Sequence, residues 1–254
     1  MDLPFPDLSP LAVVLALCVA LLAGVVKGIV GFAMPMIMIS GLSSLMTPEI
    51  ALAGLILPTL ITNGMQALRQ GPRAAVGSIG RFRLFLVVGL VALLISSQLV
   101  AVLRAEILLL AIGVPVAGFA CLQLAGWQPK LGGQTRGLDV GIGAFAGFIG
   151  GLSGVWGPPV VAYLTAMNTE KRDQMRIQGV IYGLGAVALT FAHILSGVFD
   201  RAGAVFSAAL IVPAVLGMWL GGKVQDRIDQ RAFKRATLVV LLVAAANLIR
   251  RALF

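Results

Sequence analysis

Eight apolar stretches, at about 9–47, 50–68, 84–103, 107–125, 140–169, 177–199, 202–222 and 236–249, alternate with short polar and basic segments. Six of them are each read as one membrane-crossing helix, for which about 20 apolar residues are needed. The stretches 9–47 and 140–169 are too long for one span, and the second is short for two. Both carry glycines near their middle, and Ala23 to Pro35 aligns without a gap on Ala146 to Pro158. The shared positions are Ala23/Ala146, Gly24/Gly147, Gly28/Gly151, Gly31/Gly154 and Pro35/Pro158. An internal repeat with corresponding Gly/Pro interruptions is the pattern of a secondary transporter whose broken helices meet at a substrate site. The economical element for each long stretch is a helical hairpin that enters the bilayer, turns near mid-depth and leaves on the same side. Its irregular backbone is tolerated because protein surrounds it.

The basic residues test that topology, because a hairpin adds no net crossing whereas one long helix adds one. With two hairpins, one side holds Arg69, Arg73, Arg81, Arg83, Lys130, Arg136, Lys171, Arg172, Arg176, Lys223, Arg227, Arg231, Lys234 and Arg235. The other holds Arg104, Arg201, Arg250 and Arg251, a division of 14 to 4; two continuous crossings would divide the same charges 9 to 9. Two short complete crossings in place of each hairpin have the same parity, so the count leaves those alternatives open. Three further helices follow each hairpin, and three is odd, so the halves are expected to be inverted relative to each other. The predicted fold is all-α and polytopic: a first repeat over 1–127, a connecting cytoplasmic loop over 128–137 and a second repeat over 138–254. Both termini are then expected on the periplasmic side.

Composition agrees with a membrane protein, since 59% of residues are hydrophobic and 11% charged. The net charge of +9 is scattered over short loops, which argues for membrane orientation and against nucleic acid as a partner. Met1 to Pro10 holds Asp2 and Asp7 without Lys or Arg, so the first apolar stretch is expected to be retained, not cleaved as a signal peptide. Cys18 and Cys121 lie in separate apolar stretches and the chain has one His, which supports no disulfide framework, metal site or cofactor. No GxxxxGK[ST] motif is present to drive transport with a nucleotide.

The segments AGVVKGIVGFAMP from Ala23 and AGFIGGLSGVWGPP from Ala146, each opening a repeat, resemble the TauE/SafE sulfite-exporter family. The resemblance covers nearly the whole chain. It implies a bacterial inner-membrane permease, not an enzyme, that moves sulfite, sulfonates such as sulfoacetate, or other small sulfur-containing anions. Thiosulfate-handling relatives are implied to use cysteines on the path; here Cys18 and Cys121 fall outside both motifs.

The residues themselves also favour an anion. The second leg of each hairpin is expected to begin near Phe32 and Trp156, so unpaired N–H groups and a positive helix end face each break. Gly28, Gly31, Gly151 and Gly154 allow close approach to the backbone, and their alternative role is tight helix packing, with which this is compatible. Ser153 supplies a hydroxyl donor or a helix cap, and Trp156 a gate or packing. Lys27 is the only charge deep in an apolar stretch, positioned to attract the anion or to snorkel. On the helix after the second hairpin, Gln178, Tyr182, Gly185, Leu189 and His193 recur at helical spacing. Asn63, Gln66 and Arg69 do so in the first half, with Gln66 favoured for the pathway and Arg69 for the membrane boundary.

The expected site is therefore Lys27, Gly28, Gly31, Phe32, Gln66, Gly151, Ser153, Gly154, Trp156, Gln178, Tyr182 and His193, holding an anion at the midplane between the two breaks. All Asp and Glu residues fall at segment ends, in loops or in the N-terminal tail, so potential-driven export is the simplest mechanism. An importer or channel for another small anion, a passive subunit of a larger importer, and a rhomboid-like protease using Ser153 and His193 are the alternatives. Besides the anion and the lipid bilayer, the apolar surfaces leave a homo-oligomer open.

Overall fold

The computed structural model describes residues 9–97, 105–127, 133–153, 157–195 and 199–253, and every regular element among them is helical. The first long stretch forms α1 (Pro10–Val30) and α2 (Met34–Leu42), and the second forms α7 (Arg136–Ser153) and α8 (Gly157–Ala166). Between and after them come α3 (Pro48–Leu68), α4 (Pro72–Arg81), α5 (Arg83–Ser97), α6 (Ala105–Leu124), α9 (Lys171–Leu195), α10 (Arg201–Arg227) and α11 (Gln230–Leu253). Local chemistry sets several starts. Ser9 caps α1 by accepting from the Ala12 N–H at 3.2 Å, with Pro10 in the first turn, and Asp200 caps α10 by accepting from Gly203 at 2.7 Å. Among the described residues four helices are long and apolar enough to cross a membrane, or five if α4 and α5 together form one bent span.

Two features depart from the sequence reading. The stretch from Arg69 to Arg83, expected as a basic loop, contains α4, which begins after Gly71 with Pro72 at its first position. The first hairpin also has legs of unequal length. At 1.5 Å per residue α1 is about 31 Å long, enough for the hydrocarbon core, whereas α2 is only about 14 Å. Of the glycines expected to break the helix, Gly24 and Gly28 remain helical, and only Gly31 leaves it, with φ 88°.

The chain forms two compact units that interleave the sequence halves. Residues Met1–Gln70 and Gln178–Asp229 make the first; Gly71–Ile177 and Gln230–Phe254 make the second. In the first unit α1 crosses α10 so closely that a Cβ on Gly24 would meet the Ala214 carbonyl, and one on Gly28 the Met218 carbonyl and the Gly221 Cα. From the other side Gly217 and Gly221 abut the backbone of Leu21 and Val25. Contacts advance together along both helices, so they run in the same direction. In the second unit α7 crosses α5 in the same sense, with Gly143 on Phe85 and Gly147 on Gly89. Small residues at four-residue spacing allow this backbone contact, which gives dispersion packing where burial from water no longer drives association.

A third contact repairs a helix. Pro58 lacks the N–H that would bond the Gly54 carbonyl, and Ser207 of α10 donates its hydroxyl to that carbonyl at 2.9 Å while accepting from the Leu57 N–H at 2.9 Å. Below it Ala16, Ala20, Ala23, Met34, Met38 and Leu42 form the core of the unit with Phe206 and Leu210.

The glycine crossings make a direct prediction for thermal unfolding in detergent. Gly147→Leu and Gly24→Leu are each expected to cost about 3 kcal/mol or prevent folding, because the atoms they meet are backbone. Gly118→Ala, where nothing lies within 4 Å, is expected to stay within about 1 kcal/mol of the parent. Equal effects at all three positions would contradict this packing.

Candidate functional site at the first helix break

The break after α1 is built from two left-handed residues, Gly31 with φ 88° and Ala33 with φ 72°. The Gly31 N–H closes the last turn on the Lys27 carbonyl at 2.7 Å, and α2 starts at Met34 with no side-chain cap. A helix end leaves its last carbonyls without intrahelical donors, and within a membrane no water is at hand to serve them. Two glutamines do so here. Gln66 of α3 donates its amide to the Gly31 carbonyl at 3.0 Å. Gln178 of α9, in the amide orientation that satisfies its partners, donates to Gly31 at 3.1 Å and to Val30 at 3.2 Å. Gly179 brings α9 onto α3, since a Cβ there would lie 2.8 Å from the Gln66 carbonyl carbon.

Lys27 lies one turn before the break, almost wholly buried, and its ammonium donates to the Asn63 side-chain carbonyl oxygen. Its place in the last turn of α1 also suits the negative end of that helix. Among the described residues no carboxylate forms an ion pair with it. Opposite the carbonyl end, the first turn of α2 presents the N–H groups of Met34 and Met36, which have no intrahelical acceptor, while Pro35 between them has no N–H. The break thus has a hydrogen-bonded carbonyl side, an amide side and one buried cation. Chemically, the last two attract an anion and leave the first for positioning.

The structure brings together six of the expected residues: Lys27, Gly28, Gly31, Phe32, Gln66 and Gln178 lie on or around this break. Gly28 has its open face against α10, the packing role. Phe32 is buried. Tyr182 is buried one turn beyond Gln178 on α9. His193 belongs to the same helix, and its side chain lies outside the described residues. At the second break Gly151 and Ser153 lie in the last turn of α7, the Ser153 side chain is outside the described residues, and Gly154 and Trp156 lie outside them altogether. Ser153 belongs to the second unit and His193 to the first. Arg69 closes α3, where it bonds Asp226 at 2.7 Å and Gln225 at 3.0 Å. That joins two segment ends which the loop charges assign to one side.

Two groups escaped the sequence reading. Asn63 was one of a polar series without a role, and its pairing with Lys27 needs the relative rotation of α1 and α3. Asp139 does sit at a segment end, but it is buried, accepting from the Tyr163 hydroxyl at 3.0 Å and from Gln134 at 2.7 Å. Gln134 in turn accepts from Arg81 at 2.8 Å. A tyrosine inside the second glycine-broken stretch, one of two in the chain, was the available signal.

A family model for the sulfite exporter TauE/SafE matches residues 16–248, which include both breaks. The chain belongs to the TauE/SafE family. Comparison with curated proteins and with solved structures gives no match. As a TauE/SafE protein with several span-length apolar helices, it is a multi-pass membrane permease of a sulfite-exporter family. In this TauE/SafE chain the matched span runs from the first turns of α1 almost to the end of α11, so neither unit lies outside it.

The Lys27–Asn63 contact predicts a compensating pair. Asn63→Leu is expected to cost about 2–3 kcal/mol, because it strands a buried ammonium, whereas Lys27→Met stays within about 1 kcal/mol of the parent. Lys27→Met combined with Asn63→Leu should recover most of the loss in a thermal-unfolding double-mutant cycle. An Asn63→Leu protein as stable as the parent would refute the pairing.

Proposed function

We propose that this chain exports small sulfur-containing oxyanions, sulfite or a sulfonate, across the bacterial inner membrane, with the first helix break as its anion contact. One observation carries the reading: Lys27, a buried cation with a neutral amide as its partner, lies one turn before the break after which α2 begins without a side-chain cap. An arriving oxyanion supplies the countercharge that Asn63 lacks, while the α2 amides and the Lys27 N–H groups replace part of its hydration. The second break, which carries Gly151, Ser153, Gly154 and Trp156, is proposed as the corresponding contact for this class of anion in the other repeat.

The contact pattern supports two related repeats, and the odd number of crossings in each supports their inversion. α1, which opens the first repeat, packs on α10, the penultimate helix of the second; α7, which opens the second repeat, packs on α5, the penultimate helix of the first. A pseudo-twofold axis relating the repeats would produce this exchange. The midplane position expected for the anion gives way, for the first break, to one near the inner end of α3, because Gln66 lies one turn before Arg69. Export then needs no coupling ion: with the cytoplasm negative, outward movement of one anionic charge gains about 2.3 kcal/mol per 100 mV.

Labelled sulfite and sulfoacetate flux into proteoliposomes tests this, with the membrane potential set and the pH gradient clamped. Saturable flux that follows voltage is expected for one of the two anions, together with at least a tenfold loss in Lys27→Met, equivalent to about 1.4 kcal/mol. A flux that demands a pH gradient and ignores voltage would sink the uniport, and absence of flux for both anions would sink the substrate class.

A further inference from the structure

Among the described residues α4 is an amphipathic element that the transport reading leaves unused. Its axis bends 70° from that of α5 at Phe82, which is buried and packs edge-on against Phe85 at 6.4 Å. α5, which falls in the apolar stretch 84–103 read from the sequence as a span, displays an exposed apolar row at Val87, Leu90, Val91, Leu94 and Ile95. A helix turned 70° from such a span lies nearly in the plane of the bilayer.

The residues of α4 sort into three edges at helical spacing. Ala75 and Ser78 face the protein, with Ser78 accepting from Arg176 at 2.8 Å. Val76 and Ile79 are exposed, Val76 by 65% of its surface, on the next edge. Arg73, Gly77 and Gly80 form the third, also exposed, and a Cβ on either glycine would meet nothing within 4 Å. From Gln70 to Arg83 the chain has three arginines, Arg73, Arg81 and Arg83, and no acidic residue. An apolar edge beside a basic edge, on a helix lying across a span, is the arrangement of an interfacial helix.

We propose that α4 is a lipid-docking helix, with Val76 and Ile79 in the acyl boundary and Arg73 and Arg83 on the phosphates of anionic phospholipids. Charge complementarity selects the lipid, because anionic headgroups attract unneutralised arginines near the surface. The inference rests on the chain lying in a membrane and not on the anion it carries, so its test is separate from transport.

Spin labels test it in full-length protein with Cys18 and Cys121 replaced by Ala. Labels at Val76→Cys, Gly77→Cys, Ile79→Cys and Gly80→Cys are compared in phosphatidylcholine vesicles with and without phosphatidylglycerol. Positions 76 and 79 are expected to favour oxygen, and 77 and 80 a water-soluble nickel chelate. Phosphatidylglycerol should draw the first pair deeper. The fraction giving half that shift should rise about fivefold for each of Arg73→Gln and Arg83→Gln. Arg250→Gln, a charge removed elsewhere, should leave it unchanged. Equal nickel access at all four positions, no response to phosphatidylglycerol, or an equal effect of Arg250→Gln overturns the proposal.

Discussion

A carbonyl released from a helix and buried in protein has no water to turn to, and the first unit is arranged around that constraint. Gly31 ends α1 at the close of a full-length span, and two glutamine amides from different helices meet its carbonyl. Each unsatisfied polar group would cost several kcal/mol in lipid, so Gln66 and Gln178 stabilise the break and also fix where α3 and α9 stand around it. The same logic appears at Pro58, where Ser207 serves the carbonyl that proline leaves without a donor. At both of these interruptions a neighbour's side chain is the hydrogen-bond partner.

Close packing makes those partners reachable. A glutamine amide extends only a few ångströms, so α3 and α9 must approach nearly to backbone contact, and Gly179 permits it. α1 is seated just as closely on α10 through Gly24, Gly28, Gly217 and Gly221. Once α1 is held there, Lys27 has little freedom to snorkel toward an interface, and its ammonium turns to Asn63. The buried charge is a consequence of the crossing, and its value to an anion permease is the basis of the function proposed for it.

Much of this was legible in the sequence, because the features concerned are local or periodic. Apolar lengths gave the long helices, and the paired glycine segments pointed to two broken stretches and to the family. Lys27, Gln66 and Gln178 stood out as polar residues in apolar surroundings. The roles of individual glycines did not stand out. Gly24, Gly28 and Gly31 look alike in sequence, yet only Gly31 adopts a left-handed conformation, since helix packing and helix breaking both select for a missing Cβ. Asn63 and Asp139 required knowledge of which helix faces meet. α4 was hidden because arginines and glycines read as a loop until the exposed Val76 and Ile79 are seen to share one edge of a helix.

Hydrogen–deuterium exchange of the Gly31 to Ile37 segment, followed with and without sulfite in reconstituted protein, tests the central claim most directly. If the break binds the anion, the amides of the first turn of α2 become protected in a saturable, sulfite-dependent way, and Lys27→Met abolishes that protection. If sulfite is transported while those amides exchange at an unchanged rate, the anion contacts another part of the protein and the account of the first break is wrong.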